Sequence, residues 1–130
     1  MANAHDQLLA DVRAYRAAGE RLVKGVIELN AMNTAALEDL ERGMSLTESV
    51  ELRDSATWSR RISKLLDEFE SCRRATRSSA TAVLMEEGKN VTGVGRVFGV
   101  SHQLASRFAR GPRDDETQGD CLQDQPQKMD

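Results

Sequence analysis

A short stretch near the end of the chain brings together side chains that can recognise nucleic-acid bases. They are Ser101, His102, Gln103, Ser106 and Arg107. An arginine guanidinium can bind guanine through two hydrogen bonds, and a glutamine amide can bind adenine in the same way. Serine and histidine can bond either a base edge or a phosphate. This combination indicates contact with bases, with Arg107 and Gln103 as the principal readers.

Basic side chains surround this stretch along the chain. They are Arg73, Arg74, Arg77, Lys89, Arg96 and Arg110. Residues 73–113 hold eight Lys and Arg against two Asp and Glu, a net charge of +6, whereas residues 1–72 carry −4 and residues 114–130 carry −5. Local positive charge of this kind is expected where phosphates are bound, which sets affinity rather than sequence preference. The alternative is a solvated face, or ion pairs with carboxylates one helical turn away.

The sequence contains no arrangement typical of catalysis. It has no histidine pair beside carboxylates, no nucleophile motif and no phosphate-binding glycine loop. Its two cysteines, Cys72 and Cys121, do not have the spacing of metal ligands. We therefore expect no enzyme activity, no bound metal and no cofactor.

Residues 91–110 must form two helices joined by a tight turn if these side chains are to act together. Gly99 is suited to end the first helix, because glycine adopts a positive φ without steric cost. Ser101 is a natural N-cap for the second helix. The apolar spacing buries Val94, Phe98, Ala105 and Phe108 against one another. Gly95 is small where the two helices would cross closely.

This segment resembles the helix-turn-helix of bacterial repressors, recombinases and sigma-factor DNA-binding regions. The matching residues are Val94, Gly95, Phe98, Gly99, Val100, Ser101, Ala105 and Phe108. The resemblance implies that the second helix enters the major groove of double-stranded DNA, and that residues 75–87 form the supporting helix. It also implies a small bacterial transcription regulator. The sequence departs from the family at Gly95, where alanine is usual, and at Ala105, where a branched residue is usual.

Two long helices are expected before this segment, over residues 6–42 and about 46–87. A four-three repeat predicts the seam of the first: Leu8, Val12, Tyr15, Gly19, Leu22, Val26, Leu29, Asn33, Ala36 and Leu40. The seam predicted for the second is Trp58, Ile62, Leu65, Phe69, Cys72, Thr76, Ser79 and Val83. The short turn near 43–46, with Ser45 and Glu48 as a capping box, favours an antiparallel, coiled-coil-like hairpin. A small break is expected near 76–79, because serine and threonine are poor mid-helix residues.

The predicted fold is therefore all-α, in three parts. Residues 1–74 form a helical hairpin for association, residues 75–112 the helix-turn-helix, and residues 113–130 a disordered acidic tail. A second apolar edge on the first helix, at Leu9, Val23, Ile27 and Leu37, predicts a homodimer. The rival interpretation is that the C-terminal segment folds back onto this edge.

Nothing in the sequence indicates a membrane protein or a secreted one. No apolar run approaches the roughly 20 residues that a membrane span needs, and the first residues lack the apolar core of a signal peptide. We expect a cytoplasmic protein that binds double-stranded DNA. The alternative function is a protein-interaction module that binds RNA polymerase, a sigma factor or a toxin-like partner through its helices.

Overall fold

The computed structural model describes residues 3–111 and contains five helices. They are α1 (Ala4–Glu41), α2 (Leu46–Leu52), α3 (Ser55–Glu86), α4 (Val91–Phe98) and α5 (His102–Arg110). No strand occurs within residues 3–111, so the all-α prediction is confirmed for this part of the chain. The acidic tail predicted at 113–130 lies outside the described residues. None of the helices is long and apolar enough to cross a membrane.

The first turn forms as local sequence signals predict. Gly43, at φ +95°, ends the turn of chain that follows α1. The Ser45 hydroxyl caps α2 by accepting a hydrogen bond from the backbone N–H of Glu48. The Glu48 carboxylate in turn accepts a hydrogen bond from the backbone N–H of Ser45. This capping box satisfies two donors that a helix start leaves open.

The helix predicted over 46–87 is wrong in one place, because it is broken at residues 53 and 54. Asp54 adopts a left-handed conformation at φ 54°, which separates α2 from α3. The break allows Arg53 to fold back onto α1. There its guanidinium donates two hydrogen bonds of 2.8 Å to Asp39. Asp39, only 1% exposed, also accepts bonds from Ser49 and Arg42.

The break expected near 76–79 is absent, and α3 runs without interruption through the predicted boundary between residues 74 and 75. Three hydroxyl groups in and next to this stretch have acceptors that are compatible with a helix. Thr76 donates to the backbone oxygen of Asp11 on α1, and Ser79 donates to the Asp11 carboxylate. Thr81 donates to the Arg77 carbonyl one turn earlier. These bonds remove the competition with backbone groups that disfavours such residues in helices.

Helices α1 and α3 form the predicted antiparallel hairpin. The pairing is fixed along its length by Arg21 with Glu68, at 3.6 Å, and by Glu28 with Arg61, at 3.1 Å. Near the open end, Asp11 accepts from Ser79. In the first pair α1 provides the cation, and in the second pair α1 provides the anion. The register of the two helices therefore matches opposite charges as well as apolar side chains.

The seam predicted on α3 is confirmed, since Leu65, Cys72 and Ser79 are buried at its centre. The seam predicted on α1 is wrong by one residue, or about 100° around the helix. The buried residues of α1 are Asp11, Ala14, Ala18, Gly25 and Asp39. They are small or polar because the helices approach closely. A Cβ at position 25 would lie 2.5 Å from Cδ1 of Leu65.

This rotation leaves the second apolar edge of α1 uncovered. Leu9, Val23, Ile27 and Leu37 remain 39%, 59%, 64% and 55% exposed. The interpretation in which the C-terminal segment folds back onto this edge is wrong, because α4 and α5 contact α3 and do not contact α1. The hairpin therefore presents an open apolar face along most of its length.

The buried Asp39 should make stability depend on pH. The hydrogen bond from Arg53 holds the pKa of Asp39 below its ordinary value of 3.8. A depressed folded-state pKa stabilises the protein above the unfolded pKa, and this stabilisation is lost as the pH falls through the folded pKa. We expect Asp39→Asn to lower the melting temperature at neutral pH, and the difference from the parent to vanish in strong acid.

The exposed Asp67→Asn is the matched control, because it removes the same charge outside this network. Thermal melts followed by circular dichroism between about pH 2 and pH 7 would measure both variants. Equal melting temperatures for the parent and Asp39→Asn at neutral pH would contradict the assignment.

Candidate nucleic-acid interface

Helices α4 and α5 and the turn at residues 99–101 form a compact unit, here called the terminal helix pair. Asn90 caps α4 by accepting a 2.9 Å bond from the N–H of Gly93. Gly99 ends α4 at φ +69°. Val100 donates a 2.9 Å bond to the Gly95 carbonyl and Gly99 donates to the Arg96 carbonyl at 3.3 Å. These two bonds define a Schellman motif, which turns the chain sharply after a helix.

The second helix begins where the sequence predicts. The Ser101 hydroxyl accepts a 3.1 Å hydrogen bond from the backbone N–H of Leu104, which is the third residue of α5. A capping hydroxyl at this position contributes about 1 kcal/mol to helix stability. The turn between the helices is thus three residues long and is closed by backbone and side-chain hydrogen bonds on both sides.

A small apolar core holds the terminal helix pair to the end of α3. Val94 and Ala105 are fully buried and Phe108 is 8% exposed. Phe98 packs edge-on against Phe108 with ring centroids 5.5 Å apart, and Leu84 of α3 joins the cluster. The four residues predicted to be buried together therefore meet, although Phe98 remains half-buried.

The crossing of α4 and α5 leaves no space at Gly95. A Cβ there would lie 3.1 Å from the Val100 carbonyl oxygen and 3.6 Å from Cβ of Ala105. The first distance is shorter than an ordinary van der Waals contact. The two departures from the family pattern, Gly95 and Ala105, are thus next to each other in space. Both reduce side-chain volume at the same crossing.

The residues predicted to read bases lie on α5 and at its N-cap, and most of them are exposed. Ser101, His102, Gln103 and Arg107 are exposed, and Ser106 is half-buried. Arg110 is also exposed and places Nη1 3.5 Å from the Ser106 hydroxyl. A helix face of this composition offers donors and acceptors at several heights along the helix, as reading of base edges in a groove requires.

The residues predicted to contact phosphates fall into separate places. Lys89 and Arg96 are exposed beside α4, and the Lys89 aliphatic chain runs close to Gly93. Arg73 is committed to Glu70, which accepts bonds of 2.6 and 2.9 Å from its guanidinium. This bond lowers the pKa of Glu70 below its ordinary value. Among the six residues predicted to contact phosphates, Arg73 is therefore the one whose charge is paired with a carboxylate of the described chain.

Arg74 and Arg77 of α3 converge with Arg107 of α5 around a small cavity of about 120 Å³. The Arg77 guanidinium lies 4.7 Å from the centre of the Phe108 ring, a cation–π contact that fixes its position. None of the three arginines forms an ion pair with a carboxylate among the described residues. Three guanidinium groups thus border the cavity, and the carboxylate nearest to them in electrostatic effect, Glu70, is bonded to Arg73.

The electrostatics of this cavity favour an anion. Burial, and after it the charge of Arg73, lowers the pKa of Arg77 below the ordinary value for arginine. The Nε atoms of Arg74 and Arg77 are buried and have no hydrogen-bond partner within residues 3–111. A phosphate oxygen beside these guanidinium groups would relieve their mutual repulsion. No group of three or more His, Cys, Asp or Glu side chains in the described chain could hold a metal ion.

The sequence did not indicate that Arg107 joins Arg74 and Arg77. Their convergence depends on which side of α5 packs against α3, and this is settled by Phe108 and Leu104 in three dimensions. Ser78 also lines the cavity, and it is not among the contact residues that the sequence predicts. The spacing of residues 74, 77 and 78 places them on one face of a helix, and this pattern in the sequence indicates that they can line one site.

The close crossing at Gly95 should make the terminal helix pair sensitive to added volume. We expect Gly95→Val to destabilise α4 and α5, because two methyl groups cannot fit against the Val100 carbonyl. Hydrogen exchange should quicken in residues 91–110 and remain slow in the hairpin. Thr92→Val, at an exposed position of the same helix, is the matched control. Unchanged protection of α4 and α5 in Gly95→Val would contradict this packing.

Comparison of the chain with protein-family models, with curated proteins and with solved structures found no match. No relative therefore assigns a role to any residue of the terminal helix pair. The resemblance to helix-turn-helix proteins rests on the residues of segment 91–110 alone, and the functional interpretation rests on the chemistry and geometry described above.

Proposed function

We propose that this protein binds double-stranded DNA through the terminal helix pair, which acts as a helix-turn-helix with α5 as the recognition helix. The observation that carries the proposal is the position of the arginine cavity beside the exposed polar face of α5. Polar groups of the base-reading type and guanidinium groups that form no ion pair within residues 3–111 lie next to each other on one end of the molecule. Bases and backbone phosphates are neighbours in the same way along the major groove.

The division of roles follows from this geometry. Ser101, His102, Gln103 and Ser106 face bases, and Gln103 is the strongest candidate because its amide can bind adenine bidentately. Arg74, Arg77 and Arg107 bind one phosphate. Lys89, Arg96 and Arg110 bind flanking phosphates on the outer sides of the pair. The guanine contact that the sequence suggests for Arg107 is the competing assignment, and it predicts a different response to mutation.

A small bacterial transcription regulator is the role that fits this activity. The N-terminal hairpin provides an exposed apolar surface for association. The alternative, a module that binds RNA polymerase, a sigma factor or a toxin-like partner, is favoured by Val97, which is 54% exposed on α4 beside Arg96. Salt dependence separates the two functions, because neutralisation of DNA phosphates releases counterions.

The first test measures binding to random duplex DNA across a range of salt concentrations. The affinity should fall steeply as salt rises, and Arg107→Ala or Arg74→Ala should reduce the slope by about one unit on every sequence. Arg60→Ala is the control, since Arg60 is an exposed arginine elsewhere on α3 that donates a hydrogen bond to Thr57. Thermal melts would confirm that each variant is folded. Failure to bind any duplex at low salt would reject the proposal.

The second test concerns sequence preference. Selection from a random duplex library would first identify the preferred site. Gln103→Ala should then cost about 1–3 kcal/mol on that site and relax the preference at one base pair, with little effect on random duplex. An equal loss on selected and random duplexes would show that Gln103 does not read a base. The same comparison for Arg107→Ala distinguishes a guanine contact from a phosphate contact.

A further inference from the structure

The uncovered face of α1 carries a second heptad seam that is independent of its contact with α3. Its apolar members are Leu9, Val12, Val23, Val26, Leu37 and Leu40, and each is between 38% and 59% exposed. They belong to one series with alternating steps of three and four residues, which is the spacing of a coiled-coil contact. Around its middle lies an open groove of about 970 Å³, lined by Val12, Tyr15, Gly19, Val23, Ile27 and Phe69 among others.

The seam reads the same in both directions along the chain. Apolar residues occupy 9 and 12, then 23 and 26, then 37 and 40, and polar or small residues fill the positions between. If a second α1 pairs with the first around a two-fold axis between residues 24 and 25, each apolar position lies opposite an apolar position of the other copy. Residue 9 then lies opposite 40, residue 12 opposite 37 and residue 23 opposite 26. The polar layers would contain Arg16 against Asn33 and Gly19 against Asn30 of the other copy.

The direction of pairing follows from charge. All four basic residues of α1 lie in its first half: Arg13, Arg16, Arg21 and Lys24. Its second half, residues 25–41, carries four acidic residues and no basic one. A parallel pair would stack Arg16 on the Arg16 of the other copy and bring the acidic halves together. An antiparallel pair sets each basic half against an acidic half, so opposite charges meet.

Several of these charges are free to pair in this way. Arg13, Arg16 and Lys24 form no ion pair within residues 3–111, and the same holds for Glu38 and Glu41. Arg13 and Glu41 each follow a seam residue by one position, so in the antiparallel arrangement they lie on the same side of the contact. The axis places Arg13 opposite position 36 of the other copy, about 7.5 Å along the helix from Glu41, which two long side chains can span. The first half also holds three acidic residues, Asp6, Asp11 and Glu20, so its net charge is +1 against −4 for the second half. Of these three, Asp11 is buried and accepts a hydrogen bond from Ser79 of α3.

We propose that a second copy of this chain covers this face, with the two α1 helices antiparallel and a two-fold axis between residues 24 and 25. The contact is self-complementary, as a two-fold interface must be, because each residue meets a partner of matching class. The seam spans residues 9–40 and is thus about 46 Å long. This interface is independent of the DNA-binding role proposed for the terminal helix pair.

The association itself is tested by light scattering and sedimentation of the full chain at micromolar concentration. The expected mass is twice 14.4 kDa. Val23→Glu should raise the dimer dissociation constant about 100-fold or more, because the two-fold axis buries the new charge twice. Leu52→Glu is the matched control, since Leu52 is 60% exposed on α2 and Val23 is 59% exposed on the seam. Circular dichroism would verify that both variants fold.

The proposal would be overturned if light scattering and sedimentation of the parent chain at micromolar concentration showed only the 14.4 kDa monomer. Equal dissociation constants for Val23→Glu and Leu52→Glu would overturn it as well, because the contact would then lie elsewhere.

The direction is tested by charge exchange. Arg13→Glu should weaken the dimer about tenfold by setting an acidic residue against Glu41 of the other copy. Adding Glu41→Arg in the same chain should restore the parent dissociation constant. In a parallel dimer these two positions lie at opposite ends, so the second exchange could not rescue the first. A double variant as weak as Arg13→Glu alone would overturn the antiparallel arrangement.

Discussion

The close approach of α1 to α3 is the constraint on which the rest of the structure depends. Two helices can come this near only where small side chains line the contact, and here Ala14, Ala18 and Gly25 provide that space. Larger apolar residues of α1 are displaced to the flanks and the outer face. The same contact that makes the hairpin narrow therefore leaves an apolar surface that the isolated chain cannot bury.

Polar groups stabilise both ends of this narrow contact. At the open end Asp11 is held by Ser79 and Thr76, and at the closed end Asp39 is held by Arg53 and Ser49. Buried carboxylates contribute specificity when every oxygen has a donor, because a shifted register would leave them without partners. Asp11 thus connects α1 to α3 at the open end, and Asp39 connects α1 to α2 and to the corner at Arg53.

Helix α3 belongs to both halves of the molecule. Its first part forms the hairpin, and its last turns provide Arg74, Arg77 and Leu84 to the terminal helix pair. No break separates these parts, since α3 is continuous from Ser55 to Glu86. The cation–π contact of Arg77 with Phe108 joins this helix to α5.

Features governed by neighbouring residues could be predicted from the sequence. Gly43 and Gly99 at the turns, the caps at Ser45 and Ser101, and the seam of α3 follow from local chemistry and periodicity. The seam of α1 could not be predicted, because the buried residues are less apolar than the exposed ones. The corner at Asp54 depends on Arg53 reaching a carboxylate 14 residues away in sequence. Convergence of Arg107 with the arginines of α3 depends likewise on a tertiary contact.

The antiparallel course of the hairpin places the terminal helix pair at the end of α3 that lies level with the first turns of α1, although α4 and α5 do not contact α1. This end is far from the corner at residues 42–54. In an antiparallel pair of chains the two terminal pairs would then sit at opposite ends of the rod, about 50 Å apart along its axis. That length corresponds to about 15 base pairs of B-form DNA, or roughly one and a half turns. Grooves separated in this way face opposite sides of one duplex. Under the two proposals above, such a rod would suit bridging two stretches of DNA, as in a loop, better than gripping adjacent half-sites on one face.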